Sequence, residues 1–150
     1  MYTRILVAVE NTPYDAAIVA HVRRLATHCK ARLVLIHVAD GWAARNLQPL
    51  HLRESEEMRK DRVYLDRMCA ELNADGIETD AVLASGDPAT EIAAAAEREH
   101  CDLIAMATHG HRIIADLFYG SVASSVRHKS RVPVLLVRGT PDGAASLSAG

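Results

Sequence analysis

The chain has 150 residues, a formal net charge of −2, 49% hydrophobic and 24% charged residues. That length suits one domain with a real core, and the composition excludes a disordered chain. The near-neutral charge argues against a nucleic-acid surface, which needs a basic excess, and no apolar run approaches the roughly 18 residues of a membrane span. The first residues enter a strand pattern without a charged-then-apolar leader, so a cytoplasmic protein is expected. Cys29, Cys69 and Cys101 are an odd set with no CxxC spacing, and read as buried or half-buried thiols of a reducing compartment.

Ile5 to Val9 is a β-branched apolar run, the first strand. Thr12 is a suitable N-cap, Pro13 fits the first helical position, and Asp15 lies three residues after Thr12. Ile18, Val22, Leu25 and Cys29 then fall on one helix face. Leu33 to Val38 is the second strand, and His37 within it reads as a satisfied core histidine. Ala39 to Leu52 is a connection containing Gly41, Trp42 and Pro49, with Trp42 either covering a ligand cleft or anchoring the loop. Met58, Leu65, Met68, Cys69 and Leu72 form a second helical stripe, which Gly76 stops. The charged run from Arg53 to Arg62 reads as its solvated face.

Thr79 to Ala84 is the third strand, and Gly86-Asp87-Pro88 turns into an alanine-rich helix around Ile92. Leu103 to Ala107 is the fourth strand. It runs into Thr108-His109-Gly110, and Gly120-Ser121 is expected to open the next amphipathic helix. Pro133 precedes the fifth strand, Val134 to Val137. Beyond it the chain is Gly, Ala, Ser and Pro without periodicity, so residues 1–138 are expected to form the domain and 139–150 a flexible tail.

Strands alternating with helices imply an α/β three-layer sandwich, a doubly wound five-stranded parallel sheet covered on both faces. Ligands in such folds sit outside the strand carboxyl ends where strand order reverses. The segments after strands one, two and four are therefore the expected site: Glu10 to Thr12, Val38 to Asp40, and Ala107 to Ser121. A glycine loop followed by a helix start offers backbone N–H groups and a partial positive charge, which suits a phosphate.

Those residues resemble the universal stress protein family. Its ATP-binding signature is G-x-x-G-x9-G-[ST], and here Ala107-Thr108-His109-Gly110 is followed after nine residues by Gly120-Ser121. The likeness extends to RILVAVE near the start, LIHV in the second strand, Gly86 with its helix, and VPVLLVR near the end, covering residues 3 to 138. The resemblance implies a sensor or regulatory module that binds an adenine nucleotide, ATP with or without Mg²⁺, and not an enzyme. It implies contacts from Ala8, Val9, Glu10, Val38, Met106, Ala107, Gly110, Arg112, Gly120, Ser121 and Val122. It also implies a homodimer joined antiparallel through the last strand, which would otherwise be an exposed edge. No nucleic-acid or membrane partner is expected.

Two positions depart from the family pattern. Ala107 stands where the signature has its first glycine, and Glu10 stands where an aspartate is usual. Ala107 favours an alternative reading, a dimeric interaction protein that binds no nucleotide. Catalysis has no motif behind it: GxxxxGK[ST] is absent, and no Ser-His-Asp arrangement follows from spacing. His109 and His111 have a metal-ligand spacing but no third ligand nearby in sequence, so no metal site is expected.

Overall fold

The computed structural model describes residues 1–40, 51–109 and 113–139, with the backbone alone at 40, 51–55, 109 and 113–120. In chain order the elements are β1 (Arg4–Ala8), α1 (Asp15–Cys29), β2 (Arg32–Asp40), α2 (His51–Ala74), β3 (Thr79–Gly86), α3 (Pro88–Arg98), β4 (Leu103–His109), α4 (Ile113–Lys129) and β5 (Val134–Gly139). The five strands pair in the order β3-β2-β1-β4-β5, all parallel. The order reverses at β1, which has β2 on one side and β4 on the other.

Two cores flank the sheet. On one face Ile18 and Val22 of α1, with Leu65 and Leu72 of α2, cover Ile5, Val7, Leu33 and Leu35. On the other, Ile92, Ala95 and Ala96 of α3, with Val126 of α4, cover Leu6, Val34, Ile36 and Ile104. Adjacent residues of each inner strand are thus buried on opposite faces, which is why the strands read as unbroken apolar runs. α3 buries Ala89, Ala93, Ala95 and Ala96 beside a single large buried side chain, Ile92. Small residues let this helix lie close to the sheet.

The expected stops and starts hold at several ends. Gly76 follows α2 with φ +84°, a left-handed conformation that glycine adopts without penalty. Asp87 caps α3, accepting from Thr90 N–H at 2.9 Å, with Pro88 as the first helical residue. β2 and β3 run further than their apolar cores, pairing as far as Asp40 with Gly86.

Two helix starts differ from expectation. α1 begins at Asp15, with Tyr14 and not Thr12 at the N-cap position. Thr12 and Pro13 belong to a turn held by the Asp15 side chain, so they precede the helix. α4 begins at Ile113, which places Gly120 and Ser121 about two turns inside it and not at its N-terminus. The segment Ile-Ile-Ala-Asp-Leu-Phe-Tyr before Gly120 suits a helix, and one interior glycine costs only about 1 kcal/mol.

β5 lies at a sheet edge. Leu135 and Val137 pack toward α1, whereas Leu136 is 50% exposed. At the end of β5, Gly139 lies against Tyr14, where an added Cβ would come within 3.1 Å of the ring.

At the opposite end of the sheet, the Asp102 carboxylate accepts from Thr3 N–H at 2.8 Å, the Thr3 hydroxyl at 2.8 Å and Arg4 N–H at 3.1 Å. Burial pushes this carboxyl up, but the hydrogen bonds outweigh it and hold it below its ordinary value. A depressed carboxyl contributes stability that is present above its unfolded-state value and lost as pH falls through the folded one. Urea midpoints should therefore fall between roughly pH 5 and pH 2, and fall less steeply in Asp102→Asn. Parallel pH profiles for the two proteins would remove Asp102 from the acid response.

Candidate functional site

The carboxyl end of β1 is shaped by one buried carboxylate. Val9 N–H still donates to Ile36 carbonyl at 2.9 Å, extending the ladder past the strand. The chain then turns at Asn11, whose φ of +60° is left-handed and costly for most side chains, least so for Asn and Asp. Asp15, only 3% exposed, reaches back over this turn. Its carboxylate accepts from Glu10 N–H at 3.0 Å, Asn11 N–H at 2.8 Å and Thr12 N–H at 3.3 Å. Asp15 N–H in turn donates to Thr12 carbonyl at 3.1 Å. The Thr12 hydroxyl is buried and has no protein partner among the described residues.

Helix α2 reaches the same loop with two side chains. The Tyr64 hydroxyl donates to Asp15 Oδ2 at 2.5 Å. Burial raises the Tyr64 phenol strongly, and the hydrogen bond to Asp15 and its charge add to the rise. Asp61 accepts from the Asn11 side-chain amide at 3.2 Å and lies 3.1 Å from His37 Nε2. His37 Nδ1 lies 2.9 Å from the Val9 carbonyl, an acceptor only, so that nitrogen carries the donated hydrogen. His37 is thus a half-buried histidine with a polar group beside each ring nitrogen, as the sequence suggests. Asp61 corrects the reading of the charged run, because it points to the β1 loop and not to solvent. A groove of about 550 Å³ opens between α1 and α2 behind this loop, with Asp15, Tyr64, Val19 and Met68 in its wall.

The apolar candidates divide between the two faces of the sheet. Ala8, Val38 and Met106 lie on the α3/α4 face, and Val122 of α4 packs into the same core. Val9 and Ala107 lie on the α1/α2 face. Val38 and Ala8 are partly buried at strand ends, and Met106 is 4% exposed. Together they form a small apolar shelf across β1, β2 and β4. Ala107 pairs in register with Val137 as extended strand. Left-handed non-glycine residues among those described are Asn11, Lys30 and His100, so the Ala107 methyl imposes no backbone strain.

Glu10 is partly buried at the shelf's edge, and Ser121 is exposed on α4. Gly120 is described by its helical backbone alone. Gly110, His111 and Arg112, and also Trp42, lie outside the described residues. No group of three metal-ligating side chains occurs among the described residues.

The sequence pointed to Asp15 only through its spacing from Thr12, and gave no signal for Tyr64 or Asp61. Those two stand three residues apart on one side of α2, a spacing that could have marked a shared target, but nothing local names that target.

Comparison with known proteins adds the following. Residues 1–138 match the model of the universal stress protein family. The chain is 31% identical to "Universal stress protein in QAH/OAS sulfhydrylase 3'region" of Thermus aquaticus, over 92% of this chain and all of that protein. Its fold matches the solved structure of protein MJ0577, a universal stress protein of Methanocaldococcus jannaschii, with a TM-score of 0.80 and 25% identity over 93% of this chain and 98% of the other. Two further structures share the fold. One is a universal stress protein in complex with cAMP, with a TM-score of 0.69 and 18% identity over 93% and 98% of the two chains. The other is the Archaeoglobus fulgidus protein in complex with dAMP, with a TM-score of 0.63 and 19% identity over 91% and 98%.

Proposed function

The chain belongs to the universal stress protein family, and from that premise we propose that it binds an adenine nucleotide at the carboxyl ends of β1, β2 and β4, as a regulatory module. The observation that carries the reading is the apolar shelf of Ala8, Val38 and Met106 at the point where strand order reverses. A flat purine suits such a shelf, and Val38 would lie against its face. The cAMP and dAMP of the two related complexes share adenine and one phosphate, the same chemistry.

Phosphates would fall toward Gly110, Arg112 and the start of α4 at Ile113, whose first-turn N–H groups have no intrahelical acceptor. Gly120, Ser121 and Val122 follow along the same helix. ATP is the fuller ligand for this arrangement. Mg²⁺ would then arrive on its phosphates with Glu10 as the protein carboxylate, since that ion is commonly held by one or two carboxylates plus phosphate oxygens. The residues fit such an ion only in company with the nucleotide. No residue is assigned a catalytic role.

The test is calorimetry with Mg-ATP, AMP and cAMP, together with mass identification of small molecules extracted from the purified protein. Wild type should bind at least one of the three below millimolar concentration. Val38→Asp should weaken that binding about tenfold or more, because a charge on the shelf must be desolvated by the base. No binding of any nucleotide at millimolar concentration would leave the second reading, a dimeric interaction protein of the same fold. Ala107, with its methyl where the family signature has glycine, favours that second reading. In either case a homodimer joined through β5 is proposed, because this edge strand carries an exposed leucine.

A further inference from the structure

We propose that Tyr64 and Asp61 of α2 are positioning residues for the nucleotide-binding loop after β1, so that α2 and the nucleotide act on each other through that loop. The inference rests on the nucleotide reading above. Residues Val9 to Thr12 are tied down largely by side chains, because they lie beyond the strand and before the helix. The Val9 carbonyl is held by His37. The N–H groups of Glu10, Asn11 and Thr12 converge on Asp15. The Asn11 side chain is held by Asp61.

Each of these holding groups is itself held from α2. Asp15 is a nearly fully buried carboxylate, a state that is costly unless its lone pairs are filled. Tyr64 supplies the bond that comes from outside the loop's own segment. Asp61 joins Asn11 and His37, so the same helix braces both the left-handed turn at Asn11 and the carbonyl at Val9. Tyr64 is followed directly by Leu65, which is fully buried against the sheet. The brace is therefore anchored, and its geometry depends on where α2 sits. The loop aims Glu10, and Glu10 stands at the edge of the shelf. A shift of α2 would move the loop and alter affinity. By linkage, bound nucleotide must then stabilise the α2 position that holds the loop.

Tyr64→Phe removes the hydroxyl and keeps the ring. Asp61→Asn keeps the shape and removes the charge, and serves as the second variant should Tyr64→Phe fold poorly. Calorimetry with AMP and Mg-ATP should show binding weakened about tenfold in each, the size expected from losing a bond to a charged group. Amide exchange read by mass spectrometry should quicken at residues 10–12 while β4 and β5 keep wild-type protection. Nucleotide should slow exchange along residues 56–74 in wild type and much less in the variants. Variants that bind as tightly as a binding wild type overturn the inference alone, and so do variants that lose thermal stability while keeping affinity. A wild type that binds no nucleotide overturns the functional reading and this inference with it.

Discussion

Replacing Asp15 by alanine should destabilise the fold by about 3–4 kcal/mol, because three backbone N–H groups and the Tyr64 hydroxyl lose their common acceptor in a buried place. For a chain of this size that corresponds to a melting temperature lower by roughly 10 °C. Asp15→Asn should cost less, since one oxygen remains to accept, although the amide's N–H₂ would then face donors. Chemical denaturation of the three proteins measures the series. A loss under about 0.5 kcal/mol in Asp15→Ala would mean that water replaces the carboxylate and that the loop is not held from within. The order of the series matters as much as its size. Equal losses in Asn and Ala would point to the charge, and a graded loss to the geometry.

Leu136→Lys should convert the proposed β5 dimer into a monomer. β5 pairs with β4 on one side and is an edge on the other, and Leu136 is its outward apolar side chain at 50% exposure. Leu135 and Val137 face α1 and would damage the core if charged, so Leu136 is the position that separates association from folding. Two-fold pairing of this edge with its copy would cover both rows of backbone donors and acceptors at once. Light scattering should give twice the chain mass for wild type and close to the single mass for the variant, with the circular dichroism spectrum unchanged. A monomeric wild type at tens of micromolar would rule the β5 interface out.

The order of elements was legible because each rests on neighbouring residues. β1 and β2 declare themselves by apolar runs, and α3 by Asp87, Pro88 and its alanines. What was not legible depends on residues far apart in the chain. Tyr64 and Asp15 are separated by 49 positions, and no local pattern distinguishes a tyrosine that bonds a distant carboxylate from one that merely lines a helix. Asp61 was hidden by its company, since a charge within Arg53 to Arg62 reads as solvated until the partner from β2 is placed beside it. The start of α4 was misplaced for a different reason. Gly120 is a strong punctuation mark in a sequence, but helix propensity is a weak prior, and the residues before it carry the helix through. Thr12 failed similarly: it has the chemistry of a cap, but Asp15 takes the loop's donors first.

The alanines of α3 have a consequence for how such a chain can diverge. A helix whose buried face is almost all methyl groups leaves only Ile92 to trim and no room to enlarge an alanine, so most substitutions there either clash or change the spacing between helix and sheet. The α2 side is built differently, from long side chains such as Leu65, Met68 and Leu72 that can be exchanged for others of similar volume. Mutational tolerance should therefore be lopsided. Substitutions should be tolerated least in the α3 layer and most in the apolar face of the helix that braces the β1 loop.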